Sequence, residues 1–369
     1  MNNFYDFIVI GAGISACTFV SSLHKRHSDA SILLVEQGRR LGGRSTTRKS
    51  RKNIILEFDH GLPSISFGKT ISTDLSSLIS PLIKSNKLLD ITKDILFLNE
   101  FGEMKYLSTN ERIYRGFPFM INFCEEIIKQ ALNSKKIHFL FETVAKSITR
   151  TNNLWEIKVN NAMLVQSKNL VLSSSLIVHP RCLEIMKIDS LPLREALDKG
   201  KDNILDLVIS KVSQQDYMQR RNFILYIKNS SEVENFAYNY LQICFSQVIR
   251  NNFSFERIVF QKQRDGSLIV VLHCEYEKKH FNSNLEYILK SLNIIFANHQ
   301  KFLELFLQAR LIDQMHWRAS QPINNLLPVE LQWSSNSNLG FCGDWFDMNG
   351  RVGVEGAMNS SIRLAKLVM

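Results

Sequence analysis

The chain has 369 residues and a mass of 42.6 kDa, with 45% hydrophobic and 22% charged residues. That balance supports a full apolar core and excludes a disordered, collagen-like or small disulfide-framework protein. Lys and Arg number 45 against 35 Asp and Glu, a formal charge of +10, which suits an anionic partner without choosing between nucleic acid, a membrane surface and an anionic small molecule. Six cysteines (Cys17, Cys124, Cys182, Cys244, Cys274, Cys342) show no CxxC spacing and no histidine cluster, so reduced thiols and no structural metal are expected. By length alone, about two domains are expected.

Phe4 to Ile10 runs β-branched and aromatic residues together and reads as a buried strand. The apolar stretch from Phe7 to Val20 is not a secretion signal, because Asp6 stands where a basic region belongs and Gly11 and Gly13 interrupt it. No stretch offers about 18 consecutive apolar residues, so no integral membrane segment and a cytoplasmic location are expected. After the strand come Gly11, Ala12, Gly13, Ile14, Ser15 and Ala16, then a helical pattern from Cys17 to His24, then a second apolar run from Ile32 to Val35 that ends at Glu36. Strand, glycine turn, helix, strand and acid in this order form a dinucleotide fingerprint. Gly11 allows the tight turn, Gly13 lets the backbone approach a pyrophosphate, and Ala16 is small enough for the helix to pack on the strand. The helix N-terminus favours the phosphate charge. Glu36 follows about twenty residues after the turn, where a carboxylate accepts from a ribose diol.

Gln37 then leads into a glycine hairpin, Gly42-Gly43-Arg44, whose guanidinium can pair with phosphate oxygens. With this E-x5-GGR arrangement the sequence resembles the FAD-dependent amine oxidase superfamily. It resembles most the renalase-like branch, whose T-R and D-H-G motifs correspond here to Thr47-Arg48 and Asp59-His60-Gly61. The resemblance implies bound FAD, with His60 and Gly61 beside the flavin. His60 is a candidate flavin- or substrate-facing group, set against a structural role through Asp59. Leu62-Pro63-Ser64 replace the A-Q-Y of that branch, so the substrate wall differs there. The basic run from Arg39 to Lys52, with Lys25 and Arg26 before it, contains no interleaved aromatic residue. It reads as a solvated hairpin surface, and no nucleic-acid partner is expected.

Further along, Phe141 to Val144 close a strand, Trp155 to Val159 alternate, and Lys168 to Ser173 form another buried strand. By resemblance Val144 lies beside the adenine. Residues 65–112 and 179–311 carry no dinucleotide signals. Ile204 to Ser210, Phe223 to Ile227, Tyr240 to Phe245, Ile258 to Gln263 and Ser267 to Cys274, the last after an Asp265-Gly266 turn, predict an antiparallel sheet. Leu285 to Leu311 predict one or two helices. Met315 to Pro322 resemble the superfamily's H-R-W-R-Y-A strand, which makes Trp317 and Arg318 candidates for a substrate wall and for pairing with an anionic substrate.

Leu339 to Asp344 read as a strand ending in Gly343-Asp344, and Val352 to Ala365 as a final helix. By resemblance Asp344 binds the ribityl chain and the helix start, Val354-Glu355-Gly356-Ala357, faces the pyrimidine end of the flavin, where reduction places negative charge. The expected architecture is α/β: a discontinuous Rossmann-type FAD-binding domain (1–64, 113–178 and 312–369) with an inserted α+β substrate cap built on an antiparallel sheet (65–112 and 179–311). The resemblance implies hydride transfer from a dihydropyridine, an isomeric reduced NAD(P), or from an amine to FAD, with dioxygen reduced to hydrogen peroxide. A phosphate-bearing dinucleotide would suit the basic balance. The alternatives are a desaturase or protoporphyrinogen-oxidase-like enzyme, and a flavin-free binding protein like the Rab GDP-dissociation inhibitors.

Overall fold

The computed structural model describes residues 3–50, 56–159, 163–276 and 284–368. The first strand, Phe4–Ile10, lies in parallel between Ile32–Val35 and Leu164–Leu172. Ile137–Leu140 extends the parallel sheet beyond Ile32–Val35, and Leu339–Phe341 extends it beside the C-terminal end of Leu164–Leu172. The N-terminal end of that long strand instead turns antiparallel, to Leu154–Lys158 and then Ser147–Thr151. Trp333–Ser334 completes eight strands.

The central strands read as unbroken apolar runs because helices cover both faces. On one face Ile14–His24, Thr73–Lys84, Met120–Leu132 and Gly353–Leu367 share a core with Phe7, Val9 and Leu34. On the other, Leu193, Leu205, Val208 and Val212 pack with Tyr5, Ile8 and Leu33.

The second sheet has seven strands, in the order Arg310–Pro322, Tyr217–Ile227, Leu268–Glu275, Phe255–Lys262, Tyr240–Phe245, Ile95–Leu98 and Met104–Tyr106. Strand alternation gives it two different faces. Phe223, Leu225, Leu268, Val270 and Leu272 pack under helices Leu285–Ile295 and Gln300–Leu307. Ile224, Ile269 and Val271 turn the other way, against Leu56 and Phe58.

Several expected elements differ. Residues 204–210 are not a strand: Asn203–Val212 is a helix, started by the Asp202 carboxylate accepting from Leu205 N at 2.9 Å and buried through Leu205, Val208 and Val212. The sheet is not wholly antiparallel, since Tyr240–Phe245 runs parallel to Ile95–Leu98. Helices Thr73–Lys84 and Asn203–Val212, expected with the cap, pack on the first sheet. Arg310–Pro322, which spans the expected boundary at 312, pairs with Tyr217–Ile227 in the second. The fold is α/β, a Rossmann-type sheet with a second, largely antiparallel sheet inserted through the chain.

Candidate functional site

A cavity of about 620 Å3 runs from the glycine turn to the second sheet, within the size range of small-molecule clefts. At one end Gly11, Gly13, Ile14 and Ser15 line it, and the Ile14–His24 helix begins there at Gly13 with no side-chain cap. Its free N–H groups and dipole therefore point into the cavity. The Gly353–Leu367 helix also starts without a side-chain cap, and Gly353, Val354 and Ala357 line the same space. Two uncapped helix N-termini on one cavity fit a ligand with negative charge at two separated places.

Glu36, Gln37, Val144 and Thr143 line the cavity beside the glycine turn. Glu36 Oε2 accepts from Ala12 N at 2.8 Å and Oε1 from Gly38 N at 2.7 Å. Each oxygen keeps a lone pair for a ligand hydroxyl. Gly43, Arg44 and Asp344 lie between the helix starts. The Arg44 guanidinium meets the Asp344 carboxylate in a two-pronged pair, 2.7 and 2.8 Å, and also donates to Ser320 O. The two residues expected on the phosphates and the ribityl chain are thus placed together and bonded to each other.

Five expected ligand residues, Ala16, His60, Gly343, Glu355 and Gly356, stand behind the cavity wall. Ala16 is fully buried between helix and strand. Glu355 accepts from Gly68 N at 2.8 Å and pairs with Arg351, holding a neighbouring loop. A side chain at Gly356 would meet Arg351 O at 2.4 Å, and one at Gly343 would meet the Trp345 ring. Gly61 does line the cavity, at a point where the chain passes so close to Arg44 O that only glycine fits.

His60 is buried behind Trp317, ring centroids 5.7 Å apart, and does not line the cavity. Burial, reinforced by the Arg48 charge, pushes its pKa down to about 4, so it is neutral near pH 7. Its carbonyl accepts from Asn222 Nδ2 at 2.6 Å and its Nδ1 has no partner. Asp59 ties this loop down, accepting from Thr47 Oγ1 at 2.6 Å and Met120 N at 3.0 Å. Burial pushes the Asp59 carboxyl up to about 6 against the opposing pull of Arg115.

Trp317 and Arg318 both line the cavity, the indole half-buried with its Nε1 covered and unpaired, the Arg318 side chain exposed. Sequence reasoning missed a larger group. Ser173, Ser175, Arg181 and Tyr217 form one side wall, with Arg181 3.8 Å over the Tyr217 ring. Arg220, Asn222, Glu256, Arg257 and His273 form the floor. Only strand register brings the floor together, and no spacing along the chain reveals it.

The expected basic surface is mostly ion-paired. Arg39 pairs with Glu142, Arg40 and Lys49 with Glu57, and Arg48 with Asp313. Arg51 and Lys52 lie outside the described residues. Among the described residues no helix is long and apolar enough to cross a membrane, and no group of three His, Cys, Asp or Glu is placed to hold a metal ion.

Comparison with known proteins matches residues 9–80 to the NAD(P)-binding Rossmann-like domain family. An uncharacterized protein of Methanocaldococcus jannaschii is 24% identical over 257 residues, covering 60% of this chain. The chain spans 64% of the length of that curated relative. The fold is similar to a putative protoporphyrinogen oxidase from Exiguobacterium sp. 255-15 (TM-score 0.60, 10% identity, 100% and 99% of the two chains). It is similar also to wild-type putrescine oxidase bound to putrescine (TM-score 0.64, 11% identity, 99% of both chains). A flavoprotein/dehydrogenase from Cytophaga hutchinsonii matches at TM-score 0.53 and 13% identity, over 98% of this chain and 77% of the other. At these identities the likeness is one of fold: a Rossmann-like dinucleotide-binding domain in the architecture that these oxidoreductases share.

Proposed function

We propose that this chain is an FAD-dependent oxidoreductase of the renalase-like kind, taking hydride from a dihydropyridine, such as an isomeric reduced NAD(P), or from an amine. The observation that carries the reading is the single cavity joining the glycine turn, the start of the last helix and the floor of the second sheet. A dinucleotide needs the first two features, and a substrate beside it needs the third.

The residues present fit FAD. Gly13 faces the cavity with no protein atom nearer than 3.9 Å to where a Cβ would stand, leaving room for a phosphate against the backbone. Glu36 keeps lone pairs for ribose hydroxyls, and Val144 lies beside it for the adenine. Arg44 serves the pyrophosphate and Asp344 the ribityl hydroxyls once their mutual pair opens. The start of the last helix, at Val354, balances charge on the pyrimidine edge. Bound flavin supplies hydride acceptance and passes the electrons to dioxygen, giving hydrogen peroxide. The chain's own work is to orient the donor carbon and exclude water, tasks that fall to Trp317 and the floor. His60, neutral and behind the wall, holds the loop and gives up no proton.

Division of labour follows the two sheets: the first holds the cofactor, and the second presents the substrate wall. Purified protein should be yellow, or become so with FAD, and anaerobic mixing with isomeric dihydronicotinamides should bleach the visible absorption of the flavin. Protein that stays colourless once unbound FAD is removed after incubation would end this reading.

A further inference from the structure

The floor of the cavity carries charge in an arrangement that linear sequence hides. Arg257, His273 and Asn222 form one rung across three strands, and Arg220 pairs with Trp317 on the adjoining strand. The register shifts between Phe255 and Arg257. Phe255 points into the helix-covered core, and the extra residue of the irregularity lets both Glu256 and Arg257 face the cavity. A bulge next to a site commonly re-aims a side chain in this way.

Glu256 is buried and accepts from Arg220 Nε at 2.7 Å and Nη2 at 3.2 Å, and also from Arg257. The two guanidinium groups hold its carboxyl well below the usual carboxylate range, so it stays charged. Two cations against one anion leave one positive charge on a floor that is otherwise neutral. His273 is buried and pushed down to about 3 by burial first and Arg257 next. A lone charge so placed needs a partner, because desolvation is costly unless it is offset. The neighbouring groups are also uncommitted: Asn222 Oδ1, His273 Nε2 and Trp317 Nε1 are buried without partners. Asn222 donates its Nδ2 to His60 O, which leaves its Oδ1 as the free end.

Arg220 is itself bonded to Glu256 and Ser320 Oγ and adds its charge. We propose that this floor is an anchor for an oxyanion, a carboxylate or a phosphate, on the substrate, taken by Arg257, which Glu256 holds beside Arg220. It rests on the cavity being the substrate site of the oxidoreductase above, and it narrows the substrate: the molecule is an anion, and a simple amine is excluded. Planar guanidinium forks match either oxyanion. Asn222 Oδ1 only accepts, so the same molecule carries a hydroxyl or N–H near its anionic group.

The test is calorimetric titration of the full chain, in excess FAD and in physiological salt, with benzoate, phenyl phosphate, benzamide and benzylamine. Benzoate or phenyl phosphate should bind at least about tenfold tighter than benzamide, benzylamine should not bind, and the tighter anion identifies the group. Arg257→Gln should remove that preference, while Arg257→Lys should keep part of it. Equal affinity for benzoate and benzamide in the native chain, tighter binding of benzylamine, or binding of none overturns the proposal, whether or not the variants fold. FAD binding is read separately by absorbance. A chain that takes up no FAD yet prefers the anions would end the flavin reading and keep the anchor, and a yellow chain without the preference would do the reverse.

Discussion

Gly11 and Gly13 belong to one turn and are glycine for different reasons. Gly11 has φ +100°, and a Cβ there would stand 2.4 Å from Ser173 Oγ, so the fold itself requires it. Gly13 has φ −79° and clear space, so only a ligand requires it. Gly13→Ala should therefore leave the melting temperature nearly unchanged while FAD affinity falls at least tenfold, by thermal melt and absorbance titration; equal losses in both would assign Gly13 to folding. Glu36→Ala removes a charge-assisted acceptor, about 1.5–3 kcal/mol, and should raise the Kd for FAD about ten- to hundredfold. Unchanged affinity would take Glu36 out of the site.

His60 and His273 extend the residue scale to pH. Their folded pKa values, about 4 and about 3, lie below the unfolded value of about 6.5. The unfolded chain binds more protons between those limits, so stability contributed by both is present above pH 6.5 and is lost as pH falls toward 4. Asp59, raised to about 6, acts in the opposite direction over part of that window, since its protonated form is favoured in the fold. With two groups against one, urea midpoints should drop from pH 7 to pH 4, and His273→Gln should flatten the slope. A slope unchanged by that substitution would show that His273 does not titrate with unfolding.

At the scale of elements, Asn203–Val212 explains why part of the chain was illegible. Ile204 to Ser210 has the β-branched, apolar look of a strand, and periodicity over so short a run does not separate buried strand from buried helix. What decides it is Asp202: one oxygen caps Leu205 N, and the other accepts from Ser334 Oγ at 2.6 Å and from Ser337. Those serines lie far along the chain, so the cap is fixed by a contact that the local sequence does not contain. Asp202→Ala should cost about 2–4 kcal/mol in urea unfolding, a cap plus buried hydroxyls left unpaired. A loss under about 1 kcal/mol would mean the cap alone matters. The glycine turn was legible because strand, turn and helix are consecutive, whereas Arg220, Asn222, Glu256, Arg257 and His273 meet only through the register of three strands.

At the scale of the whole molecule, Arg44 and Asp344 link the two ends of the chain across the cavity. A ligand that binds there and not to the unfolded chain stabilises by mass action, about 2.7 kcal/mol at a hundredfold excess over Kd. FAD should therefore raise the melting temperature in a concentration-dependent way, and by less in Asp344→Ala; absence of any shift would argue that FAD does not enter this cavity. The positive balance, uninformative as a total, also resolves by place: the early basic run is largely neutralised by partners, and the excess that matters faces the cavity floor.

The last helix, Gly353–Leu367, packs directly on the first, Ile14–His24, through one shared core. During synthesis, the glycine turn and its helix therefore leave the ribosome long before the surface that covers them exists. Such non-local closure is slow and leaves apolar surface exposed meanwhile. Loss of the final helix would thus remove more than one wall of the cavity: it would strand the N-terminal unit in a state prone to aggregation, so that truncation at the far end is felt first at the beginning of the chain.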